Sequence, residues 1–501
     1  MLVNRIRNKF AIINQTTSAV ILERGLTLKL KELADLLMVK RTEGNMNIEI
    51  TGLQMDSRKV EQGNLFICVP AINGFLKDRH DFVKDAIRNG AVALVVERDV
   101  DTNLPKIFVN DARHAMAVIA THFFNYPSNE MKLIGITGTN GKTTTSFIIE
   151  KIFSDYGFNT GLMGNNGIKI GQELYPTDIN TQEPPILQGN LRKMIDLNVN
   201  CCVMEVTSQG LDMGRIKGCN FRTAILTNLT QDHLDYHGTF DEYKKTKGLL
   251  FSGLGNAFNS RNKKYAILNA DDPNFEYFYR ITSAEIITYG MNNPSDISAK
   301  DINISSKGIR FSLTTFKGNT DIDLQLIGRF NVYNALAAIA AALVEGVPLD
   351  YIKNSLSELR SVDGRMEIVD EGQDFLVLVD YAHTPDALDN VLKTVKEFSV
   401  GKVITVFGCG GNRDKFKRPV MGEIASQYSD FVIVTSDNPR SEDPIKIMGD
   451  IEEGLNRSKN QKYELLADRE KAIERAIHIA NKGDVVIIAG KGHETYQIFK
   501  K

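Results

Sequence analysis

The sequence predicts an α/β fold in three domains, built on parallel sheets. Short apolar runs of strand length alternate with amphipathic helical patterns along the whole chain. The length, 501 residues, exceeds what one core normally holds, at roughly 100–200 residues per domain. Four strand candidates near the C-terminus each end in a loop rich in Gly, Asp, Asn or Pro. In open α/β sheets, ligands bind beyond such carboxyl ends.

Taken in order, residues 1–25 read as an irregular extension, and helical periodicity begins near Leu28 with LKLKELADLL. A first unit contains a strand over 64–70, a helix over 81–90 and a strand over 91–97. It closes with KIFV and a helix from Ala112 to Phe124, and Tyr126-Pro127 reads as a linker. A second unit opens with the strand 131–137 and runs to a helix over 331–346. A third follows the polar stretch 361–367, with strands over 375–380, 402–407, 431–436 and 484–490. The expected boundaries are 1–130, 131–360 and 361–501.

Composition excludes several classes. The 60 Lys+Arg nearly cancel 62 Asp+Glu, leaving −2, without the basic excess of a nucleic-acid or anionic-lipid binder. Hydrophobic residues at 42% with 24% charged exclude disorder as the main state. No run approaches the roughly 18–20 apolar residues that span a bilayer, and the N-terminus lacks a signal-peptide pattern. A cytoplasmic monomer without membrane insertion is expected. Five Cys without a CxxC pair suit a reducing compartment better than a disulfide framework or a zinc site. Cys201 and Cys202 read as buried strand residues.

GTNGKTTT (138–145) lies between the strand LIGIT and an amphipathic helix, the context a phosphate cradle requires. Thr137, Gly138, Thr139, Asn140 and Gly141 form the turn whose N–H groups would face phosphate oxygens. Lys142 would neutralise the terminal phosphates of a nucleotide, and the Thr143 hydroxyl would bind Mg²⁺. The loop is a variant, with Ile136 where the full pattern has Gly. The competing reading, a Gly-rich turn capped by Thr, leaves the complete strand–loop–helix context unexplained. DYHG (235–238) and NKGD (481–484) imitate GTPase motifs. The second precedes a strand rather than ending one, so both read as accidental.

With TGTNGKTTT are found EVTSQGL (205–211), LTNLTQDHLDYHGT (226–239), LIGRFNVYNALAA (326–338), DYAHTPDAL (380–388), FGCGGNRDKFKRPVMG (407–422), DNPRSEDP (437–444) and GKGHETYQ (490–497). Over roughly residues 50–500 the chain resembles the Mur ligases, and most closely those that add the third residue of the peptidoglycan stem peptide. The resemblance implies an ATP-dependent amide ligase that joins a diamino acid to UDP-MurNAc-L-Ala-D-Glu through an acyl phosphate, releasing ADP and phosphate. It implies a central P-loop ATPase domain, flanked by an N-terminal nucleotide-sugar domain and a C-terminal Rossmann-like domain that takes the amino acid. A carboxylate is a poor electrophile because its leaving group would be oxide. Phosphorylation cures this, provided that metal and Lys/Arg offset the repulsion among three anions.

The resemblance also implies roles for single residues. Glu205 and His233 would hold a second Mg²⁺, although a strand-end Glu alone more often caps or pairs. Lys247 matches a carbamylated lysine that adds an oxygen ligand, whereas the residue alone reads as solvated, like its neighbours Lys244 and Lys245. Asn331 and Asn334 could bond the adenine edge, or Asn331 could cap the following helix. Arg365 would meet the phosphates and Asp380 the ribose, with His383 and Lys417 as helpers. Ser57 matches a uracil contact, and Thr181, Gln182, Thr207 and Arg215 match muramoyl-dipeptide contacts. Gln182, Thr207, Gln209, Asp363 and the loop 71–82 depart from the family pattern, as a specialised paralogue would.

Asp437, Asn438, Pro439 and Arg440 form the string that bears on the amino acid. Arg440 offers a planar fork for a carboxylate, which the far end of meso-diaminopimelate has and lysine lacks. Glu494 would accept the far ammonium, beside Gly490. DNPRSEDP also reads as a capped turn before a helix. Three alternatives complete the reading: the same reaction with L-lysine or another amino acid, a folylpolyglutamate synthetase, and a non-catalytic P-loop binding protein. The second lacks the unit before residue 130, and retention of Lys142, Glu205, His233 and Lys247 together opposes the third.

Overall fold

The computed structural model describes residues 26–500 apart from 73, 172, 178, 306–307, 458–461 and 495. The expectation for residues 1–25 therefore lies outside the described residues. Three larger sheets follow one another along the chain. The first has five strands, parallel from Gly52–Gln54 through Asn64–Ile67 and Ala91–Val96 to Lys106–Phe108, with Arg41–Glu43 antiparallel at its edge. The helix Ala112–Phe123 covers it. LKLKELADLL divides into a two-residue strand, Leu28–Lys29, and a short helix, Leu30–Asp35.

The central sheet has eleven strands. Its strand Lys132–Thr137 runs parallel between Cys201–Glu205 and Thr223–Leu226. The chain leaves this strand to one side and later returns on the other. Loops therefore diverge at its carboxyl end, the topological switch point where a ligand fits. The helices Lys142–Tyr156 and Arg329–Val344 share one buried layer with this sheet. Ala335 to Ala342 are fully buried, and their small side chains let the two helices approach closely.

All-parallel sheets do not hold throughout. Both flanks of the central sheet are antiparallel, at Thr160–Gly164, Gly167–Ile170 and Glu173–Tyr175, and at Ile297–Ser305, Gly308–Thr315 and Gly318–Leu324. In Gly308–Thr315 the burial alternates, as period-two side chains on a half-covered sheet must. Tyr126-Pro127 is less a free linker than expected, because Pro127 and Ser128 are buried and the Ser128 hydroxyl bonds the Gly218 carbonyl.

The third sheet has six strands, five of them parallel: Leu376–Asp380, Val485–Ala489, Val403–Phe407, Phe431–Val434 and Tyr463–Leu465. Every described cysteine is free, and no described helix is long and apolar enough to cross a membrane.

At the amino end of the central sheet, Glu345 closes the helix Arg329–Val344 and pairs with both Lys132 and Arg222. Its side chain is 1% exposed. Replacing Glu345 by Ala leaves two half-buried cations without their counter-ion. The variant should lose about 2–3 kcal/mol, read as a lower urea midpoint with an unchanged slope.

Candidate active site

The phosphate loop is shaped by contacts that only glycine tolerates. Gly138 has φ +147° and Gly141 has φ +84°, and both values suit glycine. A Cβ at Gly138 would lie 1.9 Å from Thr227 Oγ1, and one at Gly141 would lie 2.3 Å from Asn334 Oδ1. The loop after Thr223–Leu226 stitches the turn. Thr139 N–H donates to the Asn228 carbonyl at 2.9 Å, Asn140 N–H to Asn228 Oδ1 at 3.0 Å, and the Thr227 hydroxyl to the Asn140 carbonyl at 2.6 Å. The helix Lys142–Tyr156 then presents its first N–H groups beside the turn, as anion-binding helix ends do.

Two lysine side-chain nitrogens share one carbonyl here. Lys142 Nζ donates to Gly138 O at 2.9 Å and Thr139 O at 2.8 Å, and Lys247 Nζ donates to the same Gly138 O at 2.9 Å. Lys247 is far from the solvated residue its helix position suggests: it is 1% exposed, with Nζ 4.7 Å from the Tyr243 ring centre. Burial, and then the charge of Lys142, hold its pKa well below the ordinary lysine range. Lys244 and Lys245 lie on the outer face and pair with Asp241 and Glu242.

Glu205 ends its strand inside the site. Its Oε1 accepts the Thr143 hydroxyl at 2.8 Å and the Asn165 N–H at 2.9 Å. Arg365, from the third unit, donates through Nη2 to the same Thr143 oxygen at 2.9 Å. His233 sits in a left-handed turn at φ +53°, with Nε2 3.4 Å from Asp232 Oδ2. Burial, together with Lys247, Lys142 and His383, pushes its pKa to about 4 against the pull of Asp232. Among the described residues, no three His, Cys, Asp or Glu cluster as a metal cage. The buried oxygens of Thr143 and Glu205 nevertheless fit Mg²⁺, which prefers a few carboxylate or hydroxyl ligands with phosphate and water supplying the rest.

The third unit closes over this loop. Asn140 donates to Asp386 Oδ2 at 2.6 Å, Thr230 to the same oxygen at 3.2 Å, and Asn166 to the Asp363 carbonyl at 3.3 Å. Asp380 accepts Met366 N–H at 2.8 Å and Ala382 N–H at 2.7 Å, so its carboxylate fixes the turn carrying Arg365. His383 Nδ1 lies 2.9 Å from the Tyr381 carbonyl, and Lys417 donates to the His383 carbonyl at 2.7 Å. Asn331 is not a helix cap. The helix begins at Arg329, and Asn331 Nδ2 instead donates to the Ile327 carbonyl at 2.7 Å. Asn334 Nδ2 in turn donates to Asn331 Oδ1 at 2.8 Å. Both amides are buried, and that of Asn334 lies beside Gly141.

At the carboxyl edge of the third sheet, Glu494 is held by three donors. Tyr381 Oη lies 3.2 Å from Oε1, while Asn438 Nδ2 and Lys491 Nζ lie 3.1 and 2.6 Å from Oε2. Arg440, at φ +54°, donates to the Gly411 carbonyl at 2.8 Å. Gly490, at φ +109°, leaves room for Asp437 Oδ2, which would lie 3.1 Å from a Cβ. The Pro439 carbonyl packs so close to Gly411 that a Cβ there would lie 2.0 Å away. Buried Lys491, Arg469 and Arg418 near this edge escaped the sequence reading. Lys491 was legible in GKGHE. Arg469, which donates to the Ala489 carbonyl at 2.8 Å, sits at a helix start and carried no signal.

Comparison with known proteins now has a site to explain. Residues 49–124 match the "Mur ligase family, catalytic domain", 136–342 the "Mur ligase middle domain" and 364–492 the "Mur ligase, glutamate ligase domain". A UDP-N-acetylmuramoyl-L-alanyl-D-glutamate–2,6-diaminopimelate ligase of Bacillus velezensis is 49% identical over 94% of this chain and 95% of its own length. The chain belongs to the Mur ligase family. A solved structure of a ligase with the same name is 32% identical, with a TM-score of 0.67 over 94% of this chain and 95% of that one. MurF ligase from Thermotoga maritima in complex with ADP shares the fold at 22% identity, with a TM-score of 0.63 over 87% and 93%.

In this Mur ligase the remaining sequence candidates fall into two places. Thr181 donates to the Glu205 carbonyl at 3.0 Å and lies 3.1 Å from the Thr207 hydroxyl. Arg215 donates to Glu183 at 2.9 Å and to the Thr181 carbonyl at 3.0 Å. Gln182 bonds Thr177 and Asn190. Thr181 ties this group to the backbone of Glu205. Ser57 lies in the first unit, buried at a 3₁₀ turn capped by Asp56, and its carbonyl accepts Asn89 Nδ2 at 2.8 Å.

The Arg440 loop has its own anchor. Glu442 accepts both Nη groups of buried Arg418 at 3.1 and 3.0 Å. Arg418 and the Asn412 N–H hold the Glu442 carboxyl down at about 2. A carboxyl depressed in the folded state contributes stability that is whole above its ordinary value of 4.5 and fades as pH falls towards about 2. An acid titration of unfolding should show this loss in the wild type. Glu442→Gln should be less stable at neutral pH and should lack that part of the acid profile.

Proposed function

We propose that this Mur ligase adds meso-2,6-diaminopimelate to UDP-MurNAc-L-Ala-D-Glu, coupling amide formation to cleavage of ATP into ADP and phosphate. One observation carries the reading: Lys142, Lys247, Thr143, Glu205 and Arg365, drawn from four separate segments, converge on one loop. A passive phosphate binder needs the loop and Lys142, not a second buried lysine and an arginine brought by another unit. The relatives named above are ligases of that amino acid, and a fold relative holds ADP.

In this reading Gly138 to Thr143 cradle the triphosphate, and the buried Asn331–Asn334 pair lies towards its base. The dipeptide carboxylate attacks the γ-phosphorus, the bond to the β-phosphate oxygen breaks, and an acyl phosphate forms. The diaminopimelate amine then attacks the carbonyl carbon, phosphate leaves, and the amine gives up a proton. Lys142 and Arg365 face the charge that moves between the phosphates, and their pre-set positions avoid reorganisation during reaction. Mg²⁺, held by Thr143 and Glu205 with His233, would supply charge neutralisation between phosphate and carboxylate. A neutral Lys247 amine can add to CO₂ and become a carbamate anion, and its buried, cation-flanked setting favours both the neutral amine and the product anion. Thr181, Gln182, Thr207 and Arg215 would orient the muramoyl dipeptide, and Ser57 the uracil. The reaction would take place in the cytoplasm.

Arg440 and Glu494 would take the two charged groups at the far end of diaminopimelate. Lysine has only the ammonium there, so Arg440 would lose its partner, which costs affinity.

The deciding experiment is an amino-acid panel with UDP-MurNAc-L-Ala-D-Glu and ATP, scored by product mass and phosphate release. Diaminopimelate should be used fastest; faster use of lysine at equal concentration defeats the assignment. Lys142→Ala should lower kcat about 10³-fold. Arg440→Ala should lower kcat/KM for diaminopimelate about 100-fold while sparing lysine.

A further inference from the structure

Tyr381 opens the loop after the strand Leu376–Asp380, and the steps above give it no part. Its two ends serve two sites. The ring lies under the Arg365 guanidinium, 4.7 Å from the ring centre, and Arg365 is the group that reaches Thr143. The hydroxyl, 3.2 Å from Glu494 Oε1, donates to the carboxylate beside Asn438 and Lys491. Burial, and then the charge of Glu494, hold the phenol above its ordinary range, so it remains an O–H donor.

A second path runs through the same ring. His493 stacks on Tyr381, with centres 5.5 Å apart and planes 28° from parallel. His493 Nε2 lies 3.5 Å from Asn165 Nδ2, and the Asn165 N–H donates to Glu205 Oε1 at 2.9 Å. Glu205 returns to Thr143. Thr143, Arg365, Tyr381, His493, Asn165 and Glu205 therefore close a ring of contacts, and Glu494 hangs from one member of it.

The loops that carry this ring are locked face to face. A Cβ at Gly364 would lie 2.2 Å from His493 N, and one at Gly492 would lie 2.8 Å from both Gly364 O and Tyr381 Cβ. Both glycines have positive φ, +68° and +50°. The N–H groups of Gly490 and Gly492 donate to the Asp380 carbonyl at 3.1 and 3.2 Å. A displacement of the Arg365 turn is thus passed to the 490–494 loop with little slack.

We propose that Tyr381 is a positioning residue that couples closure of Arg365 onto the nucleotide loop to the orientation of Glu494, so that nucleotide and diamino acid each strengthen the binding of the other. The inference rests on the ligase reading. Coupling of this kind is reciprocal, and typically amounts to about 5–150-fold in affinity.

Tyr381→Phe keeps the ring under Arg365 and removes only the donor to Glu494. It should raise KM for diaminopimelate about 5–10-fold, and KM for ATP at saturating diaminopimelate by a similar factor, while leaving kcat within about twofold. Saturation with a β,γ-methylene ATP analogue should tighten diaminopimelate binding to the wild type, measured by calorimetry, and should no longer do so in Tyr381→Phe. Tyr381→Leu, which removes the platform as well, should also lower kcat. Adding Tyr381→Phe to Glu494→Gln should change KM no further than Glu494→Gln alone.

An active wild type whose Tyr381→Phe variant keeps both its KM and its nucleotide effect overturns this inference alone. So does full multiplication of the two single-variant effects. A wild type that makes no product with any amino acid overturns the ligase reading, and this inference with it.

Discussion

One hydroxyl organises the site. Thr143 Oγ1 gives its hydrogen to Glu205 and receives one from Arg365, so a single atom joins the phosphate loop, the end of the neighbouring strand and the third unit. Each bond involves a charged partner, the stronger class of hydrogen bond, and each lies where water is scarce. The arrangement works because Thr143 is the second residue of its helix. There its side chain points towards the carboxyl edge of the sheet, while its N–H remains one of the helix's unpaired donors. Removing either partner would leave a buried charge facing an atom that cannot compensate it.

The charge pattern around this atom follows from the same placement. Lys142, Lys247 and Arg365 crowd within reach of one turn, while Glu205 and Asp232 are the nearby anions. Like charges in a buried site raise one another's cost, and the protein relieves this by lowering the lysine pKa values and keeping His233 neutral. A site strained in this way gains when an anion enters. The three anions of the proposed reaction would supply what the protein leaves open, so groups that weaken the fold are those the proposal assigns to substrate binding.

Much of this was legible from residue order. The phosphate loop announces itself because strand, glycines, Lys142 and Thr143 are contiguous, and every strand of the third sheet with an apolar run of four or more was visible. The antiparallel flanks were not read, since strands such as Ile297–Ser305 alternate polar and apolar residues and carry no continuous run. Asn331 was open to a capping role because an Asn before an apolar helical pattern is the usual signal. The helix starts two residues earlier, however, and the side chain turns inward to the Ile327 carbonyl. Lys247 illustrates the harder failure. Local pattern does not separate it from Lys244 and Lys245; the resemblance singles it out, and the packing of the helix Phe240–Ser252 on the loop turns it inward. Arg469 is the same case, since burial of a cation at a helix start is a tertiary property that no local pattern encodes.

Contact between loops of the third unit also explains why glycine recurs away from the phosphate loop. Gly364 and Gly492 face each other across two loops, and side chains there would drive backbone into backbone. Close approach replaces flexibility in this joint: the loops meet because nothing stands between them. The Asp380 carboxylate supplies the complementary restraint by bonding the 366 and 382 amides. A hinge placed within the 364–367 turn would let Arg365 move while the amino-acid loops stayed still. The packing instead makes them one body, and a joint of that kind transmits the position of a phosphate to a carboxylate in another loop. Free rotation of the third unit would have to break the Asp386 bonds to Asn140 and Thr230 as well as the bond from Arg365 to Thr143, so these contacts hold the unit on the loop together.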